Sequence, residues 1–238
     1  MAYCILIRHG RSTANSQGIL AGWTPGVALD ETGRGQASGL VDRLGETPFV
    51  HLATSPLQRC RETAGPLLEA HGLEAQVHDG LGECRYGAWT GRSLKELADE
   101  PLWRVVQDTP SRATFPSGEE FPGESMQAMS DRAVAAVREI DAAVTEEHGA
   151  HAVWAAVSHG DVIKAVLADA VGTPLDDFQR LHVDPASISV VHYTSTRPMV
   201  LRTNDTGSAV LRPPKPTQDT PATGDAAVGG GAGLGSTT

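Results

Sequence analysis

Aromatic residues make up only 5% of this 238-residue chain, too few for an obvious base-stacking surface. Positive charge is short as well: 19 Lys and Arg stand against 29 Asp and Glu, a formal net charge of −10. That balance argues against a sequence-independent binder of nucleic acid or anionic membrane, either of which needs a basic face. Cysteine occurs three times, at Cys4, Cys60 and Cys84, with neither metal-type nor CxxC spacing. An odd, scattered set argues against a disulfide framework and predicts free thiols in a reducing cytosol. Long apolar runs are missing too. Ile5-Leu6-Ile7 stops at Arg8, and Ala152–Val157 is far too short to cross a bilayer. No basic stretch leads into an apolar run and a small-residue cleavage site, so no signal peptide is expected and the predicted location is the cytoplasm. A Lys-bearing phosphate loop, G-x-x-x-x-G-K-[ST], is also absent.

What is present suffices for a folded core: 40% of residues are apolar and 20% charged. Composition breaks once, near Leu211. Residues 213–238 hold four Pro and six Gly among 26 positions and no aromatic residue. That stretch is expected to be a disordered tail, leaving residues 1–212 as a single domain. The tail's glycines, Gly229 to Gly235, do not fit G-x-G-x-x-G and follow no strand, so no nucleotide loop is expected there.

Within 1–212, short β-like runs alternate with helical patterns. Tyr3 to Ile7 is a compact apolar strand. Asp30 caps a helix over about Glu31 to Leu44. Phe49 to Ala53 predicts a second strand, followed by a helix over Leu57 to His71 that ends at Gly72. Gln76 to His78 predicts a short third strand. Ser125 caps a helix whose Met126, Met129, Ala133, Val137, Ile140 and Val144 share one face and end before His148-Gly149. Ala152 to Val157 is a strand buried on both faces. A helix over Gly160 to Val171 and strands at Ser187–Tyr193 and Met199–Thr203 follow. The alternation predicts an α/β fold, a three-layer α/β/α arrangement around a mostly parallel central sheet. The Pro- and Gly-punctuated segment 101–123 has weak periodicity, which leaves its shape open.

Two strands end in the same kind of word: Arg8-His9-Gly10 and Ser158-His159-Gly160. Ligands of open α/β sheets collect at the carboxyl ends of strands, so both histidines are candidates for one pocket. The second strand leads into Ser55-Pro56-Leu57-Gln58-Arg59, which puts Arg59 in the first turn of a helix. A cation is unfavourable there unless an anion sits beside it. Arg8 and Arg59 would then offer fork-shaped donors, with Asn15 and the Gly160 N–H adding neutral ones.

Six blocks in order resemble the histidine phosphatase (phosphoglycerate mutase-like) superfamily. They are Arg8-His9-Gly10-Arg11-Ser12-Thr13-Ala14-Asn15; Asp30 to Ala37 with Gly33 and Gln36; Ser55-Pro56-Leu57 with Arg59 and Thr63-Ala64; Glu83 with Tyr86-Gly87-Ala88-Trp89-Thr90-Gly91; Gly123-Glu124-Ser125; and Ser158-His159-Gly160. The likeness spans about residues 3 to 165 and implies the roles. His9 is the nucleophile that forms a phosphohistidine. Arg8, Arg59, Asn15, His159 and Gly160 bind the phosphoryl oxygens. Glu83 is the general acid and later the base, which calls for a raised pKa. No metal and no cofactor are implied, because the arginines supply the positive charge. The implied activity is phosphatase action on a small phosphorylated metabolite, with monomer or homodimer as the expected state.

A phosphomutase is the alternative, since the sequence also resembles a bacterial branch labelled as phosphomutases. Cofactor-dependent mutases carry adjacent arginines after the acid loop, whereas here Arg104 and Arg112 stand apart. A metal hydrolase would enlist His9, His159 and Glu83 as ligands instead, but metal-type spacing is missing. Phe115, Pro116, Phe121 and Pro122 are candidates for a lid over the substrate. Trp89 and Trp103 are expected to pack, and Arg11, Arg61 and Arg85 to lie outside the substrate's reach.

Overall fold

The computed structural model describes residues 1–207 and 226–231. In chain order the elements are β1 (Tyr3–Arg8), α1 (Thr13–Gln17), α2 (Glu31–Leu44), β2 (Phe49–Thr54), α3 (Gln58–His71), β3 (Ala75–Val77), α4 (Leu94–Leu97), α5 (Pro101–Asp108), α6 (Met126–His148), β4 (Val153–Ser158), α7 (Gly160–Val171), β5 (Ile188–Tyr193) and β6 (Pro198–Asp205). The six strands form one sheet in the order β3-β2-β4-β1-β5-β6. The β3/β2, β2/β4 and β4/β1 pairs are parallel, and β5 and β6 run antiparallel at one side.

Helices cover both faces, because the central strands are apolar in both directions. On one face Cys4 and Leu6 of β1 and Trp154 and Ala156 of β4 meet α6 and α7. On the other, Ile5, Ile7, Ala155 and Val157 meet Leu40 of α2 and Cys60, Ala64 and Leu67 of α3. This is the expected three-layer arrangement. The α6 stripe, Met126, Met129, Ala133, Val137, Ile140 and Val144, is wholly buried. Each of its larger side chains contributes roughly 1.5–3 kcal/mol by leaving water. Cys4 and Cys84 lie in the first core and Cys60 in the second; all three are buried free thiols. Among the described residues, no helix is long and apolar enough to cross a membrane.

The lid expected within segment 101–123 needs correction. The segment 101–123 begins with a real helix, α5, which buries Trp103 and Val106. Beyond it Phe115 is not a lid residue: it is buried edge-on to Tyr86 and Trp89, with ring centroids 5.0 and 5.3 Å away. The Pro116 carbonyl accepts the Ala88 N–H at 2.8 Å, so this stretch braces the Tyr86–Trp89 turn from behind. Gly87 makes that approach possible. Its φ is +52°, and a Cβ there would lie 2.0 Å from the Pro116 oxygen. Trp89 stacks on Trp103 within the core, as expected of packing residues.

The tail departs from expectation within 226–231. These residues return to the folded domain, with Val228 buried and a 3₁₀ turn over Val228–Gly230. Compositional reasoning misses them because they are held by main-chain groups, not by an apolar side-chain pattern. The remainder of the expected tail, 213–225 and 232–238, lies outside the described residues.

Candidate active site

Strand register assembles the site. Arg8 of β1 pairs with Ser158 of β4, so the next residue on each strand is a histidine. The His9 N–H donates to the Ser158 carbonyl at 2.9 Å, and the two imidazoles meet edge to face with centroids 5.2 Å apart. One strand over, Ser55 N–H donates to the Val157 carbonyl, which brings the start of α3 and Arg59 to the same edge. Arg8, His9, Arg59, Glu83 and His159 are all nearly inaccessible to solvent. The structure therefore brings together every charged or imidazole residue singled out in the sequence.

Helix α2 clasps the His9 loop. Asp30 caps α2 through Gly33 N–H, and its own N–H donates to the Arg11 carbonyl at 3.0 Å. Gln36 Oε1 accepts the Arg11 N–H at 2.8 Å, and Thr63 Oγ1 accepts the Gly10 N–H at 3.0 Å. Arg11 is tied to Asp30 at 2.6 Å, Arg61 is exposed, and the Arg85 guanidinium lies over Trp23.

Hydrogen bonds select one tautomer for each ring. His9 Nδ1 lies 2.7 Å from the Gly10 carbonyl, an acceptor only, so Nδ1 carries the proton. Arg59 Nε donates to His9 Nε2 at 3.3 Å, consistent with a lone pair on that atom. At His159 the pattern is reversed. Arg59 Nη2 donates to Nδ1 at 3.2 Å, leaving Nε2–H to meet Ser55 Oγ at 2.8 Å. Burial, followed by Arg59, pushes both imidazoles well below the ordinary histidine range, so both are neutral at pH 7.

Glu83 faces the same point. Its Oε2 is 4.0 Å from Arg59 Nη2 and 3.6 Å from His159 Nδ1, while Oε1 accepts the Cys84 N–H at 3.0 Å. Burial, and next the nearby Asp161 carboxylate, raise its pKa to about 7 against the pull of Arg59. Asp161 and Tyr86 received no role from the sequence, yet Tyr86 Oη lies 3.0 Å from Asp161 Oδ2 and 3.4 Å from Glu83 Oε1. The signal for Asp161 was an acidic residue immediately after Ser158-His159-Gly160. Ser55, at the start of the Ser55-Pro56-Leu57 block, holds the second histidine through its hydroxyl.

Asn15 lines the cavity. Its Oδ1 accepts from both Ser12 N–H and Ser12 Oγ, so the amide nitrogen is the group it can offer a ligand. Arg8 is engaged by the returning tail. Nη1 donates to the carbonyls of Val183 at 2.8 Å and Gly230 at 2.7 Å, and Nη2 to Gly231 at 2.5 Å. Gly160 lies directly beneath, where a Cβ would come 3.1 Å from Gly230 Cα. With the segment docked, the cavity between His9, Arg59, Glu83 and Val228 is ≈ 20 Å³, enough for about one water. Among the described residues, no group of three or more His, Cys, Asp or Glu is arranged to hold a metal ion. The lone pairs of His9 Nε2 and His159 Nδ1 both face the Arg59 guanidinium, an unsuitable setting for a dication.

Fold and site together define an α/β protein in which two histidines, two arginines and a glutamate from separate elements are buried around one point. Residues 4–206 match the histidine phosphatase superfamily (branch 1), and the chain belongs to that family. It is 30% identical over 209 residues to phosphoserine phosphatase 1 of Hydrogenobacter thermophilus, covering 87% of this chain and 93% of that one. A bifunctional protein of Mycobacterium tuberculosis is 33% identical over 211 residues, 85% of this chain but 54% of its own length. The structure of a mycobacterial glucosyl-3-phosphoglycerate phosphatase in complex with VO3 superposes with a TM-score of 0.72 at 25% identity, covering 85% of this chain and 99% of that one.

Proposed function

We propose that this histidine phosphatase hydrolyses a small phosphomonoester through a phosphohistidine formed on His9. The observation that carries the reading is the hydrogen bonding of that ring: Nδ1–H is fixed on the Gly10 carbonyl, and an unprotonated Nε2 faces Arg59. A neutral imidazole with a directed lone pair at pH 7 is what in-line attack on phosphorus needs. As the N–P bond forms, the P–O bond to the leaving group breaks, and Glu83 gives its proton to the departing oxygen. Arg8, Arg59, Asn15 and the Gly160 N–H hold the non-bridging oxygens, and His159 joins them by taking up a proton at Nδ1 as the phosphate dianion binds. Water then attacks phosphorus, the N–P bond breaks, and Glu83 recovers a proton from that water.

A phosphomutase has to retain a second anionic group of its substrate while excluding water. Arg104 is ion-paired with Asp108 at the surface and Arg112 is exposed; neither lines the cavity, which favours transfer to water. Three buried free thiols support a reducing compartment, and hence the cytoplasm, as the place of work.

The test is trapping. Brief exposure to a ³²P-labelled phosphomonoester followed by denaturation should leave an acid-labile label on the protein, and His9→Ala should lose both label and turnover. Labelling that persists in His9→Ala would overturn the mechanism.

A further inference from the structure

Behind Glu83 lies a second buried carboxylate that the mechanism does not use. Asp161, in the first turn of α7, is fully buried and accepts from Tyr86 Oη at 3.0 Å and Gly229 N–H at 2.8 Å. Lys164 Nζ stands 3.6 Å from its other oxygen. Tyr86, also fully buried, has one hydroxyl proton and two carboxyl neighbours. While Glu83 is protonated, the Tyr86 hydroxyl donates to Asp161. Once Glu83 has given up its proton, the hydroxyl can turn to the new carboxylate at Oε1. We propose that Tyr86 and Asp161 form a positioning pair for Glu83, holding Oε2 towards the phosphoryl site and determining when the carboxyl keeps its proton. This rests on Glu83 being the acid.

The charged and titratable groups around Glu83 divide by element. Arg59 approaches from α3, Arg8 from β1, and Arg132 of α6 donates to the Glu83 carbonyl at 2.9 Å. His159 lies at the head of α7, Asp161 and Lys164 within it, and Cys84 and Tyr86 on the acid loop itself. Of these, Asp161 favours the protonated acid most strongly, while Arg59 and Arg8 oppose it.

The experiment compares pH profiles of kcat/KM for an alkyl phosphate and for nitrophenyl phosphate in the full chain. Asp161→Asn should move the alkaline limb for the alkyl ester to lower pH by about one unit, a tenfold loss just above neutrality. Nitrophenyl turnover should change little. Tyr86→Phe removes the hydrogen bond available to ionised Glu83 while keeping the Asp161 charge, so its limb should move to higher pH. General structural damage cannot produce opposite displacements. Limbs that stay in place, or that move the same way in both variants, would overturn the pairing. Equal losses for both esters in Glu83→Gln would instead overturn the acid role beneath it.

A different observation carries a second inference. The Arg8 guanidinium, a donor expected to hold a phosphoryl oxygen, is occupied by main-chain carbonyls of Gly230 and Gly231. Gln107 anchors the segment in both directions at Ala226, and Val228 plugs the apolar side. Gly229, Gly230 and Gly231 all have positive φ, and a Cβ on Gly230 would lie 3.0–3.2 Å from the Arg8 guanidinium. We infer that residues 226–231 are an intramolecular competitor for the oxyanion site. Neutral carbonyls are weaker partners for guanidinium than a phosphate dianion, so substrate displaces them. Its apparent affinity is then reduced by the fraction of molecules that are docked.

Inorganic phosphate binding, measured by calorimetry, tests this without relying on turnover. Val228→Asp, which places a charge in the apolar seat, and Gly230→Ala, which strains the turn, should each tighten phosphate binding several-fold and lower KM. A peptide of residues 224–234 should compete with phosphate for Val228→Asp. Unchanged or weaker phosphate binding in both variants would overturn the inference and make the segment a wall of the substrate pocket.

Discussion

Glu83 holds its proton where water cannot stabilise the charged form, and this has consequences for both rate and stability. Protonation is required for work on poor leaving groups, so their kcat/KM should fall about tenfold per pH unit above the carboxyl's value of about 7. Nitrophenolate leaves unaided and should show a flatter profile. Glu83→Gln should therefore damage alkyl phosphate turnover by about 10²-fold or more and nitrophenyl phosphate far less, and steady-state assays on both esters check it. The stability effect runs the other way. Folded Glu83 keeps its proton up to about pH 7, whereas an unfolded glutamate releases it near its ordinary value. Between those values the folded state binds more protons, so stability is lost as pH rises through the window. The neutral glutamine escapes that loss. Glu83→Gln should raise the unfolding free energy at pH 8 by an amount on the order of 3 kcal/mol, seen as a higher Tm, with the gain gone by pH 4, as scanning calorimetry would show.

At the scale of elements, α2 is the brace that holds the His9 loop in place, and its glycines divide into two kinds. A Cβ on Gly33 would lie 2.0 Å from the Arg11 carbonyl, because the helix touches the His9–Arg11 loop backbone to backbone. Gly35 and Gly39 meet nothing within 4 Å. Gly33→Ala should lower stability by about 2 kcal/mol or more and reduce kcat by pushing the loop and its imidazole out of line. Gly35→Ala and Gly39→Ala should each stabilise by about 0.5–1 kcal/mol with kcat unchanged, since alanine is the better helix former. Thermal melts and kcat of the three variants check both halves.

The same scale explains what was legible in the sequence. β1, α2, β2, α3, β4 and α7 were readable because each couples a strong apolar pattern to a clear cap or stop. The pairing of His9 with His159 followed from two strands ending in the same word. Helix α5 was hidden because its 8 residues are too few to display a period, and the Phe115 stretch because its place is set by carbonyls bonded to a distant loop. Asp161 and Tyr86 were unreadable as a pair because they lie 75 positions apart and meet only when α7 docks against the acid loop.

For the whole molecule, we propose that residues 1–212 fold as a single catalytic domain, and the thiols provide a means of observing it. Cys4 and Cys84 sit above the sheet and Cys60 beneath it, so they sample both halves of the interior independently. Each is sealed from solvent, and burial drives all three away from the reactive thiolate, Cys60 to about 12. An alkylating reagent should thus ignore the native protein and mark a molecule only when it opens. If the two layers separate from the sheet together, mass spectrometry of a timed alkylation in mild denaturant should find unmarked and triply marked chains with little between. A lasting population marked at Cys60 alone would mean that the α2/α3 layer lifts off first, and the protein would then carry its own record of the order in which it comes apart.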